Sequence, residues 1–563
     1  MPSVAAEHSP APRRSRGALA VATGILVSRL IGLVRERVFA HYLGNSPAAA
    51  AFRAAIRIPN VLQNLLGEGV LSGSLIPVYA RLLGKDATAE AREVAWTVLG
   101  VLAALVAALG ALGALFAQPL VELLVPGFSA SLRALSVDLV RILFPATGLL
   151  VLSAWCLGIL NSHRRFFLPY AAPVVWSLAQ IVALLVAGGF FDGFLGGDTG
   201  ALDGDRLVRV LALGVLTGSV LQFLIQVPTV FRLLGGGVPT FNLAMPSVRD
   251  VAFAFVPVVL GRGVVQLSGL FDNAYASLIS PRAVSALGYA QVIYLLPVSL
   301  FGMAISAAEL PEMARESGAP SEARAAGVRT RLAAALSRMA FFVVPSALAL
   351  ALLGDVLGAA LYQTGRFDAG DSRYLGYVLL GYGVALWATT SGRLYASALY
   401  ALGDAKAPFR SSLARVGLTL GLGYPAAVML PALLGVPAEL GAAALTLLSA
   451  FGAWLEVLIL RRRVRLHVGP WDRAPTLFAK RWLAGGAGVA AGLFAKWGMT
   501  QRTGASAEAV AEWGGRFFAT PAAGPLLTAG LVLGAFCVAY GLASMLMGVP
   551  ETVLLARFKR GPH

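Results

Sequence analysis

Arginines placed inside stretches that otherwise read as membrane-spanning helix mark where this chain could do chemistry. Residues 24–44, GILVSRLIGLVRERVFAHYLG, hold Arg29, Arg35, Glu36 and Arg37. The next apolar segment adds Arg53, Arg57 and Glu68, and a later one adds Arg262 and Asp272. An ionised side chain at the bilayer centre costs roughly 2.5–3.5 kcal/mol on insertion scales, so such residues normally face a bundle interior or a water-filled cavity. Arg29, Arg35, Arg53, Arg57 and Arg262 outnumber Glu36, Glu68 and Asp272, and an anionic ligand would supply the missing counter-charge. The planar guanidinium fork suits phosphate. Any one of these arginines could equally be an internally paired strut or reach the headgroups; the excess over the whole set is what favours a ligand. Arg53 and Arg57, four apart, are expected to share a helix face. No nucleophile–base pair lies in or beside the spans, so the chemistry is recognition and transport, not catalysis.

The elements that must position these groups follow from composition. The 563 residues are 58% apolar and only 13% charged, with a mean hydropathy of +0.76, whereas soluble domains carry about 25% charged residues. The chain is therefore expected to be an all-α polytopic membrane protein. Its apolar runs, from 18–44 to 523–549, number about fourteen, each near the length needed to cross a bilayer. The net charge of +17 does not signal nucleic acid, because most Lys and Arg fall in short loops on one side, as the positive-inside rule requires of a cytoplasmic face. Both termini are expected to be cytoplasmic. The two cysteines, Cys156 and Cys537, lie in apolar runs and the five histidines are scattered, so neither a disulfide framework nor a metal site is legible.

An internal repeat at an offset of about 235–240 residues points to duplicated transporter halves. SLIPVYAR, ending at Arg81, and AELPEMAR, ending at Arg315, share Pro-x-x-Ala-Arg. PGF at 126–128 is echoed by TGRF at 364–367, and GILNSHRRFFLP at 158–169 by YALGDAKAPF at 400–409. The expected organisation is a basic cytoplasmic tail at 1–17, six-helix bundles at 18–235 and 246–461, a basic loop at 462–479, two added spans at 480–549 and a cytoplasmic tail at 550–563. The bundles would be related by a pseudo-twofold axis along the membrane normal. Pro59, Gly67, Gly69, Gly73 and Pro77 in the second run, and Pro297 and Gly302 in the eighth, are expected to interrupt helices, which is tolerated where backbone lines a cavity.

Several stretches carry a family signature. SRLIGLVRERVFAHYLG followed by AAFRAAIRIPNVLQNLLGEGVLSGSLIPVYARLL, then VVQLSGLFDNAYASLIS, SALGYAQVIYLLPVSLFGMAI and ALYALGDAKAPF, resembles the MurJ (MviN) lipid II flippases of the multidrug/oligosaccharidyl-lipid/polysaccharide exporter superfamily. The resemblance implies two six-helix bundles around a cationic cavity, plus two terminal helices forming a groove for a lipid tail. It implies movement of undecaprenyl-diphosphate-linked disaccharide-pentapeptide across a bacterial inner membrane by alternating access, with membrane lipids and cell-wall synthesis machinery as partners and no cofactor. Coupling to the membrane potential or to a monovalent ion is left open. By position, Arg29, Arg35 and Arg57 match basic residues of the family and Glu68 matches the acid of its Glu-Gly motif. Ala50, Gln63 and Gln291 with Val292 depart from it, standing where the family has Asp, Arg and Asp-Arg. Arg53 and Arg262 are the candidates to replace the two missing arginines. Glu36, Glu68, Asp272, Gln63 and Gln291 are the candidate cavity or gating residues. A related flippase for another polyprenyl-diphosphate glycan, or a non-transporting cell-wall scaffold, is the alternative. A drug/cation antiporter would need carboxylates in excess, the reverse of what is present.

Overall fold

In the computed structural model the described residues are 13–190, 202–315, 321–470, 475–503 and 523–551. The outer parts of both tails, the acidic stretch with Asp192 and Asp198, and residues 471–474 of the basic loop lie outside them, as do the side chains of Glu68 and Arg262. The fold is all-α among the described residues, as composition requires. Nine helices there are long and apolar enough to cross a membrane. The other five expected runs, 18–44, 48–81, 248–280, 374–402 and 480–499, are also helical but are charged, polar or interrupted. Length and composition alone therefore account for nine spans and do not establish fourteen.

The chain forms two compact units. The first comprises Met1–Phe39, Ala54–Glu122 and Ser131–Gly263. It contains most of α1 (Arg13–Leu43), then α3 (Arg57–Leu66), α4 (Glu68–Gly84), α5 (Thr88–Leu115) and α6 (Ala117–Leu124). After these come α7 (Ala130–Ser162), α8 (Phe167–Ala187), α9 (Gly204–Leu224), α10 (Val227–Leu234) and the start of α11 (Pro246–Ile279). Its core joins Leu71, Leu75 and Tyr79 of α4 to Val94 and Leu99 of α5, Trp155 and Ile159 of α7, and Val230 and Leu234 of α10. The Trp155 indole donates to the Ala95 carbonyl at 3.1 Å, satisfying a polar group that burial would otherwise penalise. Asp203 starts α9 by accepting the Arg206 N–H at 2.8 Å, an ordinary N-cap. The connection after α10 is strapped along α5: Trp96 donates to the Gly236 carbonyl at 3.1 Å, Thr97 meets Thr240 at 2.9 Å and Asn242 donates to Glu93 at 2.6 Å.

The second unit comprises Ala40–Arg53, Leu123–Ala130 and Val264–His563. It holds α2 (Pro47–Ala55) up to Arg53, the rest of α11, α12 (Pro281–Pro297), α13 (Ala304–Arg315), α14 (Ser321–Leu352), α15 (Gly354–Tyr362) and α16 (Ala369–Ala401). It continues with α17 (Lys406–Tyr424), α18 (Leu430–Leu433), α19 (Gly441–Val468), α20 (Pro475–Thr503) and α21 (Ala523–Leu546). Helix α16 is buried along most of its length and is opened by a capping box of Asp368 and Asp371. The terminal hairpin α20–α21 packs Val489, Val532 and Phe536 against Leu353 and Val356. Polar fasteners hold the same hairpin. Arg481 of α20, its side chain 3% exposed, reaches Glu551 at 2.6 Å and Ser337 of α14 at 2.7 Å. Lys496 pairs with Asp355 of α15, and Tyr540 donates to the Phe341 carbonyl at 2.6 Å.

Both runs are interrupted, although α4 continues through Gly69, Gly73 and Pro77. α3 ends at Leu66 and α4 begins at Glu68 across Gly67, while α12 passes at Pro297 into a π-helical turn, Val298–Met303, before α13. Such π segments are frequent at functional positions. A further break at Ile56 separates α2 from α3. It corrects the expectation that Arg53 and Arg57 share one helix face, because the two arginines stand on different helices. Large apolar side chains project outward from both units, among them Leu115, Phe253, Leu433 and Leu546. Such exposure suits a lipid surroundings and not water.

Candidate functional site

In the first unit the candidate residues gather on α1 and the start of α3. The Arg35 guanidinium donates to the Glu36 carboxylate at 2.7 Å, and Glu36 is buried. The same guanidinium lies 4.7 Å from the centre of the Trp176 ring of α8. A carboxylate on one side and an aromatic face on the other hold the charge in one orientation. Arg35 is thereby a preorganised cation, with donors left over beyond the one spent on Glu36. Arg29, two turns earlier, is exposed and makes no salt bridge among the described residues. Arg57 opens α3 and Gln63 lies on the same helix, both half-buried. Glu68 is the first residue of α4.

In the second unit Arg53 closes α2 with its guanidinium 4.8 Å from the centre of the Tyr289 ring of α12. Gly288 makes room for it: a Cβ there would come within 2.8 Å of the Arg53 Cδ. Tyr289 is fixed in turn by donating to the Gly44 carbonyl at 2.7 Å. Gln291 follows two residues later, and Asp272 is half-buried on α11. The residues singled out from sequence are thus divided. Arg29, Arg35, Glu36, Arg57, Gln63, Glu68 and Arg262 belong to the first unit, and Arg53, Asp272 and Gln291 to the second.

Four ionic groups of the second unit escaped the sequence reading. Arg282 of α12 binds Asp371 at 2.8 Å and Glu439 at 3.5 Å while facing the Tyr374 ring at 5.0 Å. Arg415 of α17 meets Glu456 of α19 at 3.2 Å, and Ser412 donates to the same carboxylate at 2.9 Å. Glu309 of α13 is buried and paired with Arg338 of α14. The available signal was a lone charge inside each apolar run; the partners lie dozens of residues away. Outside the spans, Asp404 accepts from Arg463 at 2.6 Å and contacts His467 at 3.2 Å. These bonds, Arg463 foremost, hold its carboxyl at about 2, well below the usual range. His163, bonded to Tyr79 at 2.9 Å, is pushed down by burial.

A family model described as "Lipid II flippase MurJ" matches residues 39–503. The "Lipid II flippase MurJ" of Burkholderia cenocepacia is 31% identical over 454 residues, covering 79% of this chain and 82% of that protein. The "Probable lipid II flippase MurJ" of Rhizobium tropici is 29% identical, covering 78% and 79%. Among solved structures, one described as "Lipid II flippase MurJ, inward closed conformation" superposes with a TM-score of 0.69 at 20% identity, covering 94% of this chain and 99% of that one. An inward-facing multidrug resistance transporter of the MATE family superposes at 0.59 and 17% identity, covering 80% and 98%. At those identities the superpositions establish the shared fold.

Proposed function

This chain belongs to the lipid II flippase MurJ family, and from that premise we propose that it moves undecaprenyl-diphosphate-linked muropeptide from the cytoplasmic to the outer leaflet of a bacterial inner membrane for cell-wall synthesis. The observation that carries this reading is the family match over residues 39–503. The cationic arrangement on α1 agrees with it: Arg35 is oriented by Glu36 and Trp176, and Arg29 is unpaired among the described residues.

In the proposed cycle both termini are cytoplasmic and no cofactor takes part. Arg29, Arg35 and Arg57 of the first unit engage the diphosphate, with Arg53 and Arg262 standing in for the family arginines replaced by Gln63 and Val292. The prenyl tail stays in lipid along α20 and α21, whose outward faces include Phe494, Trp497, Val538 and Leu546. Substrate charge relieves repulsion among the arginines, and that differential affinity shifts the protein between its states. The membrane potential, worth about 2.3 kcal/mol per charge per 100 mV, is one driving force of adequate size. Transport gives the chain its role; nothing in it is assigned to catalysis.

The departures at Gln63 and Val292 favour one second reading, a relative that carries another polyprenyl-diphosphate glycan. The test is growth of a bacterium depleted of its own lipid II flippase. Rescue by the wild-type chain and not by Arg35→Ala is the expected result. Failure of a wild-type chain that reaches the membrane would favour the other glycan. Retention of rescue by Arg53→Ala and Arg262→Ala would remove those two residues from the substitution argument.

A further inference from the structure

One arginine inside a span of the second unit is left over. Arg393 of α16 makes no hydrogen bond or ion pair among the described residues. It stands eight residues before the end of the helix, about 12 Å of rise. In this part of α16 the residues Thr389, Arg393, Ala396, Ser397 and Tyr400 remain accessible, while those between them are buried. Their spacing places all five on one helix face. A face turned to acyl chains would be aliphatic, whereas this one carries hydroxyls and a guanidinium and so faces water. The Tyr294 hydroxyl of α12 lies within electrostatic reach of both Arg415 of α17 and Arg393. Its ring stacks on Tyr382, earlier on α16, at 4.7 Å. Glu456 of α19 is within the same reach of Tyr400. The polar seam thus holds two guanidiniums and one carboxylate. Glu456 is already engaged by Arg415 at 3.2 Å and by Ser412 at 2.9 Å, which leaves one cation in excess.

The fold does not require this charge. Helices α7 and α16 are both 33 residues long, and at the register of Arg393 α7 has Ala154, which is buried. The spans Gly204–Leu234 and Ala438–Val468 are both 31 residues long, and at the register of Glu456 the earlier one has Gln222. There the first half joins its helices with neutral groups alone: Ser153 accepts from Gln222 at 3.0 Å and from Gln226 at 2.7 Å. An ionised group inside a span is costly, so one that the architecture can do without needs another reason to be present.

We propose that Arg393 is a substrate-binding cation of the second unit and that it takes a carboxylate of the peptide carried by the muropeptide lipid. The inference rests on the function proposed above and deepens it. One guanidinium in excess matches one singly charged oxyanion, and its planar fork binds a carboxylate through two parallel N–H···O bonds. On the proposed substrate the sugars are neutral and the diphosphate is assigned to arginines already named, so a peptide carboxylate is the anion that remains. Arg415 stays on Glu456 and does not itself meet the peptide.

The test uses the purified full chain in nanodiscs with two probes, lipid II and undecaprenyl diphosphate, the second lacking sugars and peptide. Wild type should bind lipid II more tightly. Arg393→Ala should weaken lipid II binding about tenfold, the scale of a lost charge-assisted hydrogen bond, and leave the affinity for undecaprenyl diphosphate unchanged. Arg393→Lys should recover part of the loss, since the charge stays and the fork goes. A third probe, lipid II with its peptide carboxylates amidated, should bind wild type and Arg393→Ala alike. Melting temperatures of the empty variants report folding; should Arg393→Ala fail to fold, Arg393→Gln removes the charge and keeps more of the side chain. Equal loss of both lipids overturns the proposal, because Arg393 would then meet phosphate. No loss of either also overturns it and leaves Arg393 reaching the lipid headgroups. A loss that persists with the amidated lipid overturns the carboxylate as ligand. A wild-type chain that shows the expected binding pattern but rescues no growth would uphold the site and overturn the transport reading.

Discussion

Arg35 owes its usefulness to its two neighbours. The Glu36 carboxylate at 2.7 Å and the Trp176 ring at 4.7 Å fix a guanidinium whose remaining donors can take a diphosphate as a fork. Arg35→Lys keeps the charge and loses the fork, so growth rescue should fail with it nearly as completely as with Arg35→Ala. Trp176→Leu removes one cation–π contact, worth about 0.5–2 kcal/mol. Lipid II binding to the purified protein should then weaken severalfold without being abolished; full loss would mean that Trp176 does more than orient Arg35. Asp404 offers a pH test outside the spans. Its carboxyl is held at about 2 by Arg463 and His467, so the bonded carboxylate stabilises the fold above the unfolded value near 4 and loses that effect as pH falls toward 2. Asp404→Asn should lower the melting temperature at pH 7, with the gap to wild type narrowing as pH is lowered from about 4. A gap constant down to the acid limit would sink that account. At this scale Arg29 and Arg35 were legible because a charge in an apolar run is conspicuous. The pairs Arg282–Asp371 and Arg415–Glu456 were not, because an isolated charge reveals nothing about a partner 89 or 41 residues away.

Helices α2, α3 and α4 show which breaks a sequence can announce. The gap at Gly67 was expected from a glycine- and proline-rich run, and so was an interruption at Pro297, though not the π-helical geometry it takes. The break at Ile56 falls one turn before Pro59, which has no N–H to give the carbonyl of Ala55, the last residue of α2; the expectation named Pro59 as an interrupter but still placed Arg53 and Arg57 on one face, and they stand on two helices. The terminal hairpin illustrates the opposite limit, where apolar run length pointed to two further helices without showing how they are held. Arg481 is buried between Glu551 and Ser337, so Arg481→Ala leaves a carboxylate stranded. Breaking a buried pair from one side typically costs about 3–5 kcal/mol, whereas replacing both partners by apolar groups can be nearly neutral. Arg481→Ala should therefore lower the melting temperature of the detergent-purified chain markedly, and Arg481→Met with Glu551→Leu should recover most of the loss. Equal loss in single and double variants would show that the hairpin is fastened by packing around Val489, Val532 and Phe536 and not by this pair.

Across the whole molecule, charge is used in two ways. Several arginines are held by carboxylates, Arg81 by Asp250 and Arg209 by Asp138 in the first unit, and in the second Arg282 by Asp371 and Glu439, Arg338 by Glu309, Arg415 by Glu456, Arg463 by Asp404 and Arg481 by Glu551. In the first unit Arg29 has no ion-pair partner among the described residues, and Arg35 shares a single carboxylate. The repeat pointed to two related halves. The bond from Gly127 to Ser277 was not legible, since it spans 150 residues and no local pattern encodes a pairing at that range. The division of charge leads to a double dissociation. Paired arginines stabilise the fold and need not meet substrate, so Arg415→Met with Glu456→Gln should shift the melting temperature while rescue of the flippase-depleted bacterium persists. Cations that await a ligand contribute no pairing energy to the empty protein and repel each other. Arg29→Ala should accordingly leave the melting temperature unchanged or slightly raised, abolish or strongly reduce rescue, and remove the stabilisation that added lipid II confers on the wild type, because a ligand stabilises only in proportion to its binding. If Arg29→Ala instead destabilised the empty protein and the Arg415–Glu456 double variant abolished transport, the assignment of roles to paired and unpaired arginines would be reversed.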